Sequence, residues 1–276
     1  MAATTTNSVW YVYGVVPGDT SMTSIPGGID DAGVSVERVS DVAALVSVLD
    51  GPEYSPTAIE RASGDVEWLS PRAVAHDRVL TWASDHGAVV PLPMFSLFSG
   101  EEAVQRMLSD RATQLGRTLS RVSKGREYAL RVYRIDAELL ENVGDLSPRL
   151  AEMSAVAAAA SPGQRYLLER KLDGEKKTEM RAVTQRIVDD IVERLSPAAT
   201  AADRSPIPKT PTDGSRGTMV LNAAFLVPSA ALEGFQKILT ALVEQYDASG
   251  FRFDFTGPWP PYHFVDDTGD DSDGAR

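Results

Sequence analysis

Cysteine is absent from the 276 residues. That absence excludes disulfides, thiolate metal centres, cysteine nucleophiles and thiol redox chemistry. Histidine is scarce, with His76, His86 and His263 the whole supply. His76 and His86 are spaced too widely for a helical i, i+4 ligand pair, so structural roles are the expectation for all three. Basic charge is also in short supply. Lys and Arg total 27 against 39 Asp and Glu, a formal net charge of -12. An acidic chain repels phosphate backbones unless it carries a dense basic patch. The thickest basic spot, Lys176-Lys177, is flanked by Glu175 and Glu179, which argues against nucleic-acid binding. No apolar run approaches the ~18 residues of a membrane span. The segment from Met1 to Ser8 lacks the charged and apolar regions of a secretory signal, so the expectation is a soluble, cytoplasmic protein.

Catalytic signatures are missing too. There is no Gly-x-Ser-x-Gly elbow, no phosphate-binding Gly-x-x-x-x-Gly-Lys-Ser/Thr and no Gly-x-Gly-x-x-Gly after a strand. Gly27-Gly28 is a loop pair that could turn a chain, no more. Carboxylates such as Asp189, Asp190 and Glu193 flank an apolar helical stripe, as solvated faces do. The segment from Asp266 to Arg276 carries five Asp and one Arg, a local charge of -4 that leaves -8 on the rest. It lacks the spaced ligands and terminal Glu of a calcium loop and reads as a disordered, solubilising tail. No catalytic residue, metal or cofactor is expected, and the chain reads as a non-enzyme.

What is present is ordinary globular material: 43% hydrophobic and 24% charged residues, in a length that suits two modest domains. The run from Val9 to Val16 is a buried strand halted by Pro17. Residues 34–39 and 42–49 alternate on either side of Ser40-Asp41 and predict a hairpin. Residues 51–64 are a loop or short helix. Ser70-Pro71 predicts a helix start, with Val74, Val79, Trp82 and Ala83 on one face and Gly87 as the stop. Val89 to Phe95 is strand-like, but Pro91 and Pro93 cannot donate to a ladder, so Val90, Pro91, Leu92 and Pro93 form a candidate edge strand. Ser99 and Glu102 make a capping box for a helix striped by Val104, Met107, Leu108, Leu115, Leu119 and Val122. A domain boundary falls near Lys124-Gly125.

The second half restarts with a strand over 127–135 and a short helix over 136–143. Residues 147–163 are Ala-rich, helix or linker. A long helical stretch over 164–195 follows, with Gly174 marking a kink or loosened turn. Pro197 stops it, and an exposed loop over 198–217, able to hold a short strand, leads to the strand 218–227. A helix faced by Leu232, Phe235, Leu239, Leu242 and Tyr246 then precedes the alternating strand 251–255. The fold class is α+β with two domains. The first (1–124) is a small α+β sheet domain. The second (125–265) is ferredoxin-like, βαββαβ, with a long helical insertion, and the acidic tail is 266–276.

The unusual segment is Gly257-Pro258-Trp259-Pro260-Pro261-Tyr262-His263-Phe264. Prolines fix φ and rigid aromatics lose little entropy on binding. The segment is therefore a cap over the domain's open end or a recognition surface. Together with the strand before it, this segment resembles the closing motif of the gas vesicle protein L/F family. Trp10 to Val16 is similar to that family's opening strand. Further matches are His76-Asp77-Arg78-Val79, Val90-Pro91-Leu92-Pro93, Tyr166 to Arg170 and Asn222 to Val227. Where the family usually has a basic-aromatic-Gly-Thr segment, this chain has Met94-Phe95-Ser96-Leu97-Phe98. The resemblance implies an accessory protein of gas vesicle formation without catalysis. It implies binding of the small hydrophobic shell protein and of other accessory proteins. From the residues themselves, the candidate contacts are Gly257, Pro258, Trp259, Pro260, Pro261, Tyr262 and Phe264, or strand addition at the candidate edge Val90, Pro91, Leu92 and Pro93. Two rivals stand beside it: a minor constituent of the vesicle wall, and a ligand-binding or enzymatic ferredoxin-like protein.

Overall fold

A computed structural model describes residues 8–21, 23–208 and 217–265; the acidic tail lies outside them. The described chain is mixed α+β, with two sheets and seven α-helices. It divides into two compact units. One holds residues up to Glu127 together with those from Pro258 onward, and the other holds Tyr128–Gly257.

In the first unit, β1 (Ser8–Pro17) runs antiparallel to β3 (Val42–Asp50), which pairs with β2 (Ser35–Val39). The hairpin joint is the expected Ser40-Asp41, with Ser40 at a positive φ of 53°. On its other side β1 takes β4 (Val90–Pro91) and β5 (Leu97–Phe98). Helices cover both faces of this sheet, which is why β1 reads as an unbroken apolar run rather than an alternation. Tyr11, Tyr13 and Val16 pack with Val79, Leu80 and Ala83 of α2 (Val66–His86). Val12 and Val15 pack with Val104, Leu108, Leu115 and Leu119 of α3 (Glu101–Val122). Tyr13 and Val16 share a face despite their odd spacing because the β1–β3 register shifts between Val12 and Gly14, and a bulge inverts the alternation beyond it.

Several local expectations change. Helix α2 starts at Val66, not at Ser70-Pro71, because Asp65 caps it through the amides of Glu67 (2.9 Å) and Trp68 (3.4 Å). Pro71 therefore lies inside the helix, and Val74 is exposed rather than on the apolar face. The Ser99–Glu102 capping box does not form. Gly100 is the N-cap of α3 without a side-chain cap bond, and its carbonyl receives the amides of Ala103 and Val104. The stretch around Pro56 is a short helix, α1 (Pro56–Ala62), capped by Ser55.

In the second unit the strand order is β7-β8-β6-β9, from β6 (Arg126–Arg134), β7 (Ala201–Arg204), β8 (Thr218–Val227) and β9 (Phe251–Trp259). Leu221, Ala223, Phe225 and Val227, at every second position of β8, join Leu130 and Val132 of β6 in one core. That core is closed by α7 (Leu232–Tyr246) and by the C-terminal half of α6 (Pro162–Leu195). Between β6 and α6 stand α4 (Asp136–Leu146) and α5 (Pro148–Ala159). The Ala-rich segment is therefore helix, begun by Ser147, whose hydroxyl accepts the Leu150 amide at 3.2 Å. Helix α6 runs unbroken through Gly174 for 34 residues, so the expected kink is absent. Arg165 ties the start of α6 to the end of α5, donating to the carbonyls of Ala157 (3.3 Å) and Ala158 (2.8 Å).

Candidate functional site

The closing segment is built on β9. Gly250, at φ 87°, turns the chain into this strand; a Cβ there would come within 2.8 Å of Glu138 Cβ and 3.0 Å of the Ile135 carbonyl. Phe255 stacks on Tyr128 with ring centroids 5.3 Å apart, and fixes the strand on its sheet. From Pro258 onward the residues belong to the first unit. The sequence boundaries assigned this stretch to the second domain. Its packing partners, described next, all come from the first.

Pro260 and Pro261 are buried and Phe264 is 7% exposed. Short turns shape the path, with the Tyr262 amide donating to Pro260 O (2.7 Å) and the Phe264 amide to Pro261 O (3.2 Å). Three side chains then hold it. Glu127, only 1% exposed, accepts both the His263 amide (3.0 Å) and a contact from His263 Nδ1 (2.7 Å). Arg121 donates to the Phe264 carbonyl from Nε (3.2 Å) and Nη2 (2.7 Å). The Tyr262 hydroxyl donates to Asp77 Oδ1 at 3.1 Å. Burial of that hydroxyl, and then the Asp77 carboxylate, push the Tyr262 pKa up, which keeps the phenol a donor at any physiological pH. Val265 packs on the cluster that contains Val90, Leu92 and Leu119.

The candidate contact residues therefore separate into two sets. Pro260, Pro261 and Phe264 face inward, whereas Gly257 and Pro258 are exposed and Trp259 and Tyr262 each present 40% of their surface. Inward-facing and exposed residues thus alternate within one short segment. Of the residues that hold it, Asp77 lies in the His76-Asp77-Arg78-Val79 match, whereas Glu127 and Arg121 were not singled out from the sequence. The buried acid at the start of an apolar strand, directly after Arg126, was the available signal for Glu127.

The candidate edge behaves otherwise. Val90, Pro91 and Leu92 are buried and only Pro93 is exposed. The Leu92 amide points inward, donating to Tyr13 O at 2.9 Å, and Val12 N donates to Ser96 O at 2.9 Å. With Leu92 turned toward β1, the nitrogens of Pro91 and Pro93 face away, where they have no hydrogen to donate. This edge is blunted against strand addition, as natural edges commonly are.

A second polar cluster lies beneath α2. Tyr11 Oη stands 2.7 Å from His76 Nδ1 and accepts the Phe95 amide at 3.2 Å. Phe95 itself holds a positive φ of 65°. Burial lowers the His76 pKa to about 4, so the ring is neutral at pH 7. Arg72 donates to Tyr54 Oη (2.8 Å) and Glu53 Oε1 (2.7 Å), and its guanidinium lies 4.2 Å over the Trp68 ring. These groups satisfy one another and make a polar framework for the fold. Among the described residues no group of three or more His, Cys, Asp or Glu could hold a metal ion. No helix there is long and apolar enough to cross a membrane.

A family model described as gas vesicle synthesis protein GvpL/GvpF matches residues 9–266. The chain belongs to this family. Gas vesicle protein L of Streptomyces sp. (strain CB03234) is 28% identical, with 94% of each chain covered. Gas vesicle protein F of the same strain is 29% identical over 93% of this chain and 99% of that one. Two crystal structures share the fold. Gas vesicle protein GvpF from Microcystis aeruginosa gives a TM-score of 0.65 at 19% identity, covering 94% of this chain and 99% of that one. GvpF from Anabaena sp. PCC7120 gives 0.67 at 18%, covering 94% and 96%. Membership of the GvpL/GvpF family supports a role in gas vesicles, and the family is not known as an enzymatic one.

Proposed function

We propose that this GvpL/GvpF protein is a non-enzymatic assembly factor. In this reading it works in the cytoplasm in association with gas vesicles, and it binds the small hydrophobic shell protein and other vesicle proteins. The observation that carries the reading is Trp259, 40% exposed, beside two buried prolines. An indole held on a rigid backbone keeps a large apolar contact available at small entropic cost. The second unit is read as ferredoxin-like. Its elements follow βαββαβ connectivity once α4–α6 are taken together, and β7-β8-β6-β9 is the strand order of that motif. Domains of this kind host many functions, so the function rests on the exposed segment and not on the fold.

Co-expression with the shell protein followed by pull-down tests the proposal. The wild-type chain should retain the shell protein and delay its aggregation. Trp259→Ala should lose most of that retention, on the order of tenfold in affinity, with a thermal midpoint within about 4 °C of wild type. Absence of retention at near-physiological salt would overturn the proposal. Retention that Trp259→Ala leaves untouched would remove the closing segment from it.

A further inference from the structure

In the second unit a half-open pocket of about 330 Å³ lies between the start of α4 and the middle of α6. Three of the residues lining it are cations. Lys177 and Arg181 are two of them and share one face of α6, at i and i+4, with Met180 between. The third is Arg134, the last residue of β6. Its side chain is 16% exposed and held in place, with Nε donating to Asp136 Oδ1 at 2.7 Å and Nη1 to Thr184 Oγ1 at 3.1 Å. Arg134 Nη2 has no partner among the described residues, and neither Lys177 nor Arg181 has an ion pair there. The neighbouring carboxylates are engaged elsewhere. Asp136, the only acid in the lining, holds Arg134. On α6, Glu175 and Glu179 pair with Arg149, and Asp173 pairs with Lys176. On α4, Glu138 pairs with Arg252, and the exposed Glu141 stands outside the lining. The rest of the lining is apolar: Ala137, Met180 and the 39% exposed Leu140. In a chain of net charge -12, this pocket is positive and half apolar.

We propose that this pocket binds a small organic anion, an acidic head on a compact apolar body the size of a leucine side chain. The lining selects both parts of the ligand. Guanidinium and ammonium groups without a counter-ion gain most from an anion held by charge-assisted hydrogen bonds. A bare inorganic anion would satisfy the cations and leave Leu140 in water. A neutral apolar molecule would cover Leu140 and take the cations out of water unpaired, which is costly. A ligand with both parts avoids both losses. Concave sites of apolar lining with a few placed charged groups are the usual form of small-molecule sites.

Chemical-shift titration of the isotope-labelled full chain tests this. N-acetyl-leucine and isoamyl phosphate carry similar branched bodies under a carboxylate and a phosphate head. At least one should shift the amides of residues 136–140 and 177–181 saturably, with half-saturation at roughly 1–5 mM for ligands of this size. The tighter of the two identifies the head. N-acetyl-leucine amide lacks the charge and inorganic phosphate lacks the apolar body, and each should bind at least about fivefold more weakly. Lys177→Gln with Arg181→Gln should also cost at least about fivefold, with circular dichroism unchanged because both residues are exposed. Arg170→Gln with Lys171→Gln removes the same charge from α6 outside the lining and should leave binding as it is. The proposal is overturned if neither probe shifts these amides saturably, or if the uncharged amide or inorganic phosphate binds as tightly as the better probe. It is equally overturned if the two glutamine pairs weaken binding alike, since that is attraction to a charged helix and not a site.

Discussion

His76 shows how one buried ring converts position into pH dependence. Its Nδ1 meets the Tyr11 hydroxyl, and burial lowers its pKa from 6.5 to about 4. In the unfolded chain the ring takes up a proton near pH 6.5, whereas the folded protein does so only near 4. Between these values the unfolded state binds more protons, so stability falls as the pH falls. The contribution is full above pH 6.5 and is lost by about pH 4, a span worth about 3 kcal/mol. Urea unfolding of wild type and His76→Gln at matched pH should show curves that converge as the pH drops from 7 to 4. Parallel curves would show that the ring does not carry this dependence. Gly28 makes a steric case at the same scale. A Cβ there would lie 2.0 Å from Tyr13 Oη and 2.9 Å from Ser47 Oγ. That hydroxyl accepts the buried Ile29 amide at 2.9 Å and donates to Ser47 at 3.0 Å. Gly28→Ala should therefore displace a satisfied buried group and lower stability by about 2 kcal/mol or more, read as a shifted urea midpoint.

At the scale of elements, the long strands and several helix C-termini were legible, whereas two helix starts and the short strands β4 and β5 were not. Residues 218–227 and the 35–39/42–50 hairpin carry alternation and turn chemistry that few other structures satisfy. Helix starts depend on which of several capping groups prevails. Ser70-Pro71 suits a start as well as Asp65 does, and Asp65 prevails because its carboxylate reaches two amides while the turn it opens places Trp68 against Tyr54 and Phe95. Gly174 misled in the opposite direction. A glycine lowers helix propensity but does not break a helix whose flanks are strong formers. Nothing lies within 4 Å of a Cβ built at Gly174, so alanine fits without clash. Gly174→Ala should raise helix stability by roughly 0.5–1 kcal/mol, seen as greater amide-exchange protection over residues 170–178. Unchanged protection there would indicate that the helix end, not Gly174, limits opening.

At the scale of the whole molecule, the decisive contacts join residues far apart in sequence. Residues 258–265 follow a strand of the second unit directly, so every local cue assigns them to it. Their partners are Glu127, Arg121 and Asp77, and pairings this remote leave no periodicity to read. The composition of the segment announced rigidity and exposed aromatics; the identity of the surface it lies on had to come from the fold. Removing the chain after Gly257 would take from Glu127, now 1% accessible, the amide and imidazole that it accepts, and its carboxylate would have to find water in their place, a costly exchange. It would also strip Phe264 from its site, a loss comparable to a Phe→Ala core substitution of about 3–5 kcal/mol. Phe264→Ala alone should lower stability by about 3 kcal/mol, and the truncation by at least as much, whereas Trp259→Ala should stay within ~1 kcal/mol. Denaturant unfolding of the three variants distinguishes an integral part of the first unit from an appended tail, because a tail predicts three midpoints equal to wild type. A large loss for Phe264→Ala beside a small one for Trp259→Ala is the pattern expected of a segment whose inward residues are part of the first unit's core.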